Sequence, residues 1–317
     1  MNKFDVVIGT HRALSNDVFF PNLGLLVVDE EHRFGVSHKE KIRAMKQNVD
    51  VLTLTATPIP RTLQQSLIGI RDVSLIQTPP KSRKPIETSV RFFDWEVVFT
   101  YIEIELRRGG QVFFLQNDIK SLYLYKQKIQ RKFSNFSVQS LHGKMPPSEM
   151  EEKILSFFDG TIDVLVCTTI IESGLDIPNA NCIIINDAQN FGLSQLYQIR
   201  GRVGRGERQA RCLLFIPKSK LKREARERLK TLEEFTILGS GYNISMKDLE
   251  IRGAGSLFGY KQSGHISSVG FELYCEMLKE ELSKNKNMDY RLLKEPVVIH
   301  YGDAYFDQSY IKSNSQR

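Results

Sequence analysis

Two neighbouring carboxylates follow an apolar stretch near the start of the chain. Residues 25–28 read Leu-Leu-Val-Val and run directly into Asp29 and Glu30. Such a stretch is typical of a buried parallel strand, and open α/β sheets bind ligands beyond the carboxyl ends of their strands. Nucleotide hydrolysis needs one carboxylate to hold Mg²⁺, usually through water, and a second to orient or deprotonate the attacking water. Asp29 fits the first role and Glu30 the second, although a polar loop after a strand gives the same local pattern.

A second group of polar side chains follows the next apolar stretch, residues 51–54. It reads Thr55-Ala56-Thr57-Pro58. Hydroxyl groups at this position could link a phosphate site to a neighbouring domain through hydrogen bonds, but the tetrapeptide alone is also a common turn.

An arginine-rich and glycine-rich segment lies much later, at residues 198–206, and reads Gln-Ile-Arg-Gly-Arg-Val-Gly-Arg-Gly. The planar guanidinium group binds phosphate oxygens in pairs, and glycines cannot shield the arginines between them. We therefore expect Arg200, Arg202 and Arg205 to be exposed. Taken alone, the segment is also typical of a solvated loop or a general RNA-binding tract.

Short apolar runs alternate with longer helical patterns along the chain, which predicts an α/β fold with parallel strands joined by helices. After Ser148 the sequence predicts a helix that begins with a capping box between Ser148 and Glu151 and buries Met150, Ile154 and either Phe157 or Phe158. The predicted strands are residues 5–8, 25–28, 51–54, 112–115, 138–141, 164–167, 182–185 and 211–216.

Composition and charge narrow the class of protein. Apolar residues make up 41% and charged residues 26% of the 317 residues, as in ordinary globular proteins. The net charge of +7 favours a polyanionic partner, with much of the excess in residues 218–230, where a solvated helix face is an equally good explanation. The four cysteines are too far apart for a zinc site or a disulfide framework, so we expect buried thiols. Apolar runs are short and Met1 precedes Asn-Lys-Phe-Asp, so we expect a cytoplasmic protein.

Together these motifs resemble superfamily 2 helicases. Asp29-Glu30-Glu31-His32 resembles motif II, the Thr55 turn motif III, residues 168–178 motif V and residues 198–206 motif VI. The resemblance implies two RecA-like domains with ATP and Mg²⁺ between them, and Arg202 and Arg205 as arginine fingers. It assigns nucleotide contacts to these residues: Asp29, Glu30, His32, Asp176, Gln198, Arg202 and Arg205.

The same resemblance places a nucleic-acid-facing surface on both domains. Hydroxyls, imidazoles and glycine amides there would contact phosphates, so we expect binding that is independent of base sequence and sensitive to salt. Each motif is weak singly, because a lone histidine is more often structural. The residues are Thr10, His11, His142, Gly143, Thr168 and Thr169.

The longer matches at residues 29–36 and 55–62 are similar to RecG and to the bacterial transcription-repair coupling factors. Both families have a translocation motif after the second motor domain, and residues 248–265 resemble it. The resemblance implies that Arg252 and Gln262, together with Thr55 and Thr57, couple hydrolysis to movement along double-stranded DNA. Residues 269–278 and 303–311 resemble the coupling factors rather than RecG. In that family, RNA polymerase and excision-repair proteins bind through modules that this chain lacks.

The proposed domain organisation follows from changes in sequence pattern. A proline-rich, charged linker occupies residues 78–85, the strand pattern stops after Pro217, and a new segment begins near Glu295. The expected units are part of a first RecA-like domain (1–84), a complete second RecA-like domain (85–217), a helical translocation-motif segment with a helical hairpin (218–294) and the start of a truncated carboxyl-terminal domain (295–317).

One motif is missing from the 317 residues. No Gly-x-x-x-x-Gly-Lys-Ser/Thr loop occurs, and this loop normally holds the β- and γ-phosphates. We expect a fragment of an ATP-dependent DNA translocase that is inactive alone. Two alternatives stay open, a RecG-like helicase of branched DNA and a truncated nucleic-acid-binding module without catalysis.

Overall fold

A computed structural model of the chain describes 4–15, 17–31, 34–45, 49–57, 73–76, 78, 83–169, 177–237 and 239–252. Its strands form two separate parallel sheets, a small one near the start and a larger one after residue 83. Helices flank the sheets, so the predicted α/β class is confirmed. Among the described helices, none combines the length and apolar composition needed to cross a membrane.

The small sheet consists of β1 (Leu25–Asp29) and β2 (Asp50–Leu54), joined through helix α1 (Val36–Met45). The strands run parallel with Leu25 opposite Asp50. Val28 packs with Ile42 of α1 and with Leu14 in a short 3₁₀ helix, His11–Leu14. The opposite face is exposed at Leu25, Val27, Leu52 and Leu54.

The strand predicted at residues 5–8 is wrong for the described part of the chain. These residues form no strand, and the side chains of Val6 and Ile8 are 78% and 96% exposed. A strand is stabilised by a backbone ladder to a neighbour and by burial of alternate side chains. The described sheet gives this segment neither, so its apolar composition does not produce a strand.

The larger sheet has six parallel strands in the order β3-β8-β7-β4-β6-β5. Its elements in chain order are β3 (Glu87–Phe92), α2 (Trp95–Arg107), β4 (Gln111–Leu115), α3 (Ile119–Lys132), β5 (Val138–Leu141), α4 (Pro147–Phe158), β6 (Val164–Cys167), β7 (Ala180–Ile185), α5 (Leu193–Arg200) and β8 (Arg211–Ile216). Two further helices follow, α6 (Arg223–Glu234) and α7 (Gly241–Arg252).

Alternation along the central strands divides the core into two layers. In β4, Phe113 and Leu115 pack on one face with residues of α4, α5 and α6. Val112 and Phe114 pack on the other face with residues of α2 and α3. Every residue of β4 is buried, as expected for a strand covered by helices on both faces. Each buried phenylalanine contributes roughly 1.5–3 kcal/mol of transfer free energy.

Strand β3 was not predicted from the sequence. It lies at the edge of the sheet, pairs only with β8 among the described strands, and has no fully buried residue. The backbone N–H of Val90 donates a hydrogen bond to Glu233 Oε1 at 3.0 Å, so α6 covers part of this edge. An edge strand with charged residues lacks the apolar run that marks the central strands.

Helix α4 begins differently from the prediction. Its first residue is Pro147, and the preceding Pro146 makes no side-chain capping bond, so the predicted capping box is wrong. Proline suits this position because its fixed φ favours the first turn and its missing N–H is not needed there. The buried face is as predicted, with Phe157 buried, Ile154 packed against the core and Phe158 56% exposed.

The three described cysteines are free and buried, as expected, while Cys275 lies outside the described residues. Burial raises the pKa of all three thiols, that of Cys212 to about 12, because the thiolate would lose its hydration. Cys167 and Cys212 face one core layer and Cys182 the other, so these thiols report on both layers.

We expect Cys167, Cys182 and Cys212 to resist a thiol reagent at pH 8 until the protein unfolds, because the attacking thiolate is not formed in the core. The measurement is labelling with and without denaturant in a Cys275→Ser background. Adding Ser148→Cys, at an exposed position, provides the reactive control. Native-state labelling at the rate of that control would contradict the described core.

Candidate nucleotide-binding site

The backbone of Glu30 continues the small sheet and then turns sharply. Its N–H donates to Leu54 O at 3.0 Å, while its φ of 50° lies in the left-handed region. That conformation costs a non-glycine residue on the order of 1–3 kcal/mol and persists where the surroundings impose it. The turn places the Glu30 carboxylate beside the end of β2, whereas the side chain of Asp29 is exposed at the end of β1.

The turn after β2 holds one oxygen of that carboxylate. Thr55 Oγ1 lies 3.2 Å from Glu30 Oε2 and 3.1 Å from Thr57 O, so its one hydroxyl proton has two acceptors. The N–H of Thr57 donates back to Thr55 Oγ1 at 3.3 Å. Thr57 itself is 3% exposed, and the turn is therefore fixed by both its own hydrogen bonds and burial.

A side chain from the larger sheet's domain completes this cluster. Gln198, on α5, donates from Nε2 to Glu30 Oε1 at 3.4 Å and to Thr57 Oγ1 at 3.2 Å. Three motifs that are far apart in the sequence therefore meet at one point, with Glu30 contacted by Thr55 from its own domain and by Gln198 from the other. Their catalytic roles stay predictions.

The three arginines of residues 198–206 have different surroundings. Arg202 is half-buried and Arg205 is exposed, on the turn that follows α5. Nε of Arg205 donates to Gly201 O at 3.4 Å. The turn requires glycine at Gly204, whose φ is 73° and where an added Cβ would lie 2.9 Å from Ala210.

Arg200 does not match the expectation of an exposed guanidinium group. It is 4% exposed, and its Nη1 donates to Leu232 O at 2.8 Å and to Thr88 Oγ1 at 3.4 Å. Burial lowers the pKa of Arg200, because the charged form loses hydration. Arg200 is the last residue of α5, and its side chain lies on the inward face of the helix, where it joins α5 to α6 and β3.

The predicted nucleic-acid contacts of the larger sheet lie at neighbouring strand ends. The N–H of Thr168, after β6, donates to Leu141 O at 3.1 Å, which places Thr168 and Thr169 beside the end of β5. Gly143 is exposed there, but His142 is only 6% exposed.

The corresponding residues of the small sheet's domain lie in the 3₁₀ helix and its cap. Thr10 Oγ1 accepts a hydrogen bond from the Arg12 N–H at 3.4 Å. The rings of His11 and of His38 in α1 meet edge to face, with their centroids 5.7 Å apart. Both Thr10 and His11 are exposed.

Four predicted site residues cannot be placed with the others. His32, Asp176 and Gln262 lie outside the described residues, and only the backbone of Arg252 is described, at the end of α7.

Sequence reasoning missed Gly241, the first residue of α7. A Cβ built at this position would lie 2.1 Å from Ala56 O and 3.4 Å from Tyr197 Cε1, so only glycine allows α7 to approach both. Ser194 Oγ of α5 also donates to Asp248 Oδ2 of α7 at 3.4 Å. Helix α7 therefore contacts the turn after β2 and the helix that carries Gln198. Glycine at a helix start is common, and no local signal marks this distant contact.

We expect Gly241→Ala to destabilise the chain by about 1–3 kcal/mol, although alanine normally favours a helix, because the methyl group would overlap Ala56 O. Urea unfolding followed by circular dichroism measures the effect. The matched control is Asn243→Ala at an exposed position of α7. Equal or greater stability of Gly241→Ala relative to the unsubstituted chain would show that the close contact is absent.

Two family models match the chain. The model described as DEAD/DEAH box helicase matches residues 1–66, and the model described as Helicase conserved C-terminal domain matches residues 95–207. They correspond to the small sheet and to most of the larger one. The two sheets belong to two RecA-like domains, as the sequence predicts.

A solved structure of RecG bound to a three-way DNA junction is 36% identical, with a TM-score of 0.64, covering 87% of this chain and 36% of that one. A transcription-repair-coupling factor of Bacillus subtilis (strain 168) is 50% identical over 315 residues, and one of Staphylococcus epidermidis (strain ATCC 12228 / FDA PCI 1200) is 49% identical over 317 residues. Each match covers 99% of this chain and 27% of the relative, so the chain spans about a quarter of their length. The predicted resemblance to the transcription-repair-coupling factors is thus confirmed at about 50% identity over 99% of the chain, and the two helicase models fit a superfamily 2 motor region.

Proposed function

We propose that this chain is the motor part of a DNA-dependent ATPase that translocates on double-stranded DNA. In the intact protein the motor displaces a stalled RNA polymerase and couples transcription to nucleotide excision repair. The observation that carries the proposal is the pair of hydrogen bonds from Gln198 to Glu30 and Thr57, which joins the two domains at the predicted site of hydrolysis. The names of the relatives at about 50% identity support the coupling role.

The oxygen donors at this site suit a magnesium nucleotide. Mg²⁺ prefers oxygen ligands and keeps several waters, and Asp29 offers an exposed carboxylate that would hold it through water. When bound, Mg²⁺ supplies positive charge to the β- and γ-phosphates of ATP. Glu30 orients the attacking water, and the hydrogen bonds from Thr55 and Gln198 fix its two carboxylate oxygens.

The second domain contributes the remaining charge when the two domains close. Arg202 and Arg205 stabilise negative charge that develops on the phosphate, with His32, Asp176 and Gln198 as further nucleotide contacts. In comparable NTPases an arginine finger increases the rate by roughly 10³–10⁵. Hydrolysis then depends on the distance between the domains, which Gln198 already bridges.

Helix α7 gives a physical route from hydrolysis to movement. It contacts Ala56 through Gly241 and α5 through Asp248, so a change in the separation of the two domains must shift α7. Arg252 ends this helix and, with Gln262 beyond it, transmits the shift to the DNA. Thr55 and Thr57 take part in this coupling because their turn carries Ala56, which α7 contacts.

A RecG-like action on branched DNA is the second candidate, and the 36% identity to RecG favours it. The coupling role has stronger support, because its relatives are about 50% identical over 99% of the chain. A binding module without catalysis would not need Gln198 to contact Glu30.

The catalytic assignment is tested by Glu30→Gln and Arg205→Ala in the chain extended by the preceding segment of the Bacillus subtilis relative, where we expect the phosphate-binding loop. We expect each substitution to lower DNA-stimulated phosphate release by at least roughly 10³-fold with unchanged folding. The controls are Glu40→Gln and Arg208→Ala, which are exposed side chains outside the cluster. Turnover like that of the controls would overturn the assignment.

The translocation assignment is tested by Arg252→Ala in the same extended protein. We expect phosphate release to persist while displacement of a DNA triplex and of a stalled RNA polymerase is lost, because the shift of α7 no longer reaches the DNA. Lys247→Ala is the matched control, since Lys247 is exposed on the same helix and pairs with Glu250. Normal displacement by Arg252→Ala would refute the role.

A further inference from the structure

His142 is held between two hydrogen-bond partners at the end of β5. Its Nε2 lies 2.7 Å from the hydroxyl of Tyr123 on α3, and its Nδ1 accepts a hydrogen bond from the Lys144 N–H at 3.3 Å. The two rings meet edge to face with centroids 5.6 Å apart. With 6% exposure and both ring nitrogens engaged, His142 has little surface left for a ligand.

These contacts determine where the proton of the Tyr123 hydroxyl points. A backbone N–H can only donate, so Nδ1 of His142 carries no proton and the neutral ring is protonated at Nε2. Nε2–H then donates to Tyr123 Oη. The Tyr123 hydroxyl proton is left for another acceptor, and Tyr123 is 43% exposed.

A groove of about 390 Å³ runs from Tyr123 along α3 and the edge strand β5. Lys126 and Arg131 line it together with Val138 and Gln139. Within the part of the chain that the structure describes, neither Lys126 nor Arg131 forms an ion pair. The charged side chains that line the groove are therefore both cations.

The surroundings of Lys126 favour an anion. Its Nζ donates to Gln139 Oε1 at 3.3 Å, a neutral acceptor. Burial, and then the charge of Lys153, lower the pKa of Lys126. The nearby Glu149 carboxylate is already 2.7 Å from Lys153 Nζ. A phosphate in the groove would relieve the repulsion between the two ammonium groups.

Addition of a peptide strand to β5 is a poorer fit. The N–H of Val138 already donates to Gln130 Oε1 at 3.2 Å, and Ser140 O accepts from Lys153 Nζ at 3.2 Å. Strand addition needs such backbone groups to be available at the edge. The edge of β5 is therefore partly closed to a strand, while the cations beside it remain accessible.

We propose that this groove binds the phosphate backbone of duplex DNA, with the Tyr123 hydroxyl as hydrogen-bond donor and Lys126 and Arg131 as charged contacts. His142 is then a positioning residue that orients Tyr123, rather than the direct phosphate contact that the sequence predicts. The inference rests on the proposed function, since it extends the DNA surface at Thr168 and Gly143 along the sheet edge.

The test is the affinity of the full chain for a fluorescent 40-base-pair duplex, measured by anisotropy over a range of KCl concentrations. We expect Tyr123→Phe to raise Kd about three- to tenfold with an unchanged salt slope, because only a hydrogen bond to a charged group is lost. Lys126→Gln raises Kd and also lowers the salt slope by about 0.9, as for one phosphate contact. Lys128 lies on the same helix, but its Nζ is 4.3 Å from the centroid of the Trp95 ring and it does not line the groove. Lys128→Gln is therefore the matched control.

A second measurement does not depend on DNA. Nitrogen NMR of the His142 ring should show a proton on Nε2 and none on Nδ1. The opposite tautomer would overturn the inference, because Tyr123 would then donate its proton to His142.

The binding outcomes separate the two proposals. If the unsubstituted chain binds duplex and both groove variants behave like Lys128→Gln, the groove is refuted while the proposed function stands. If the unsubstituted chain fails to bind duplex even at low salt, the groove is refuted, while the proposed function is decided by phosphate release in the extended protein.

Discussion

The arrangement of the molecule depends on a polar contact between the two domains, each of which has its own sheet. Gln198 donates from one amide nitrogen to Glu30 and to Thr57, and these acceptors lie at the carboxyl ends of neighbouring strands in the other domain. Each bond alone contributes only about 0.5–1.5 kcal/mol, and slightly more with a charged acceptor. The contact is therefore strong enough to favour one orientation of the domains and weak enough to be broken in each cycle of the proposed hydrolysis.

Local rigidity supports that contact from both sides. The left-handed backbone of Glu30 is held by Leu54 O, and the Thr55 turn is closed by its own hydrogen bonds. On the other side, buried Arg200 ties α5 to α6 through Leu232 O. Of the three arginines in residues 198–206, Arg200 therefore has a structural role. Its neighbours Arg202 and Arg205 lie on the turn beyond, where the proposed transition-state role needs them.

Much of the fold could be predicted from the sequence because central parallel strands are buried on both faces. The apolar runs of β4 and β7 indicate that burial directly, and the polar residues after β1 and β2 predict the cluster that Glu30 and Thr55 form. Edge strand β3 gave no such signal, since its side chains are partly exposed. The roles of Gly241 and Arg200 could not be predicted from the sequence either, because both depend on contacts with residues far away in the chain. The partners of His142 depend on tertiary structure in the same way.

The two edge strands of the larger sheet each have a backbone amide that donates to a side chain. At β3 the Val90 amide is occupied by Glu233, and at β5 the Val138 amide is occupied by Gln130. Unprotected edges recruit other strands and lead to aggregation, and side chains that occupy edge amides oppose this. Many copies of such a domain can therefore lie close together without joining edge to edge into a continuous β-structure.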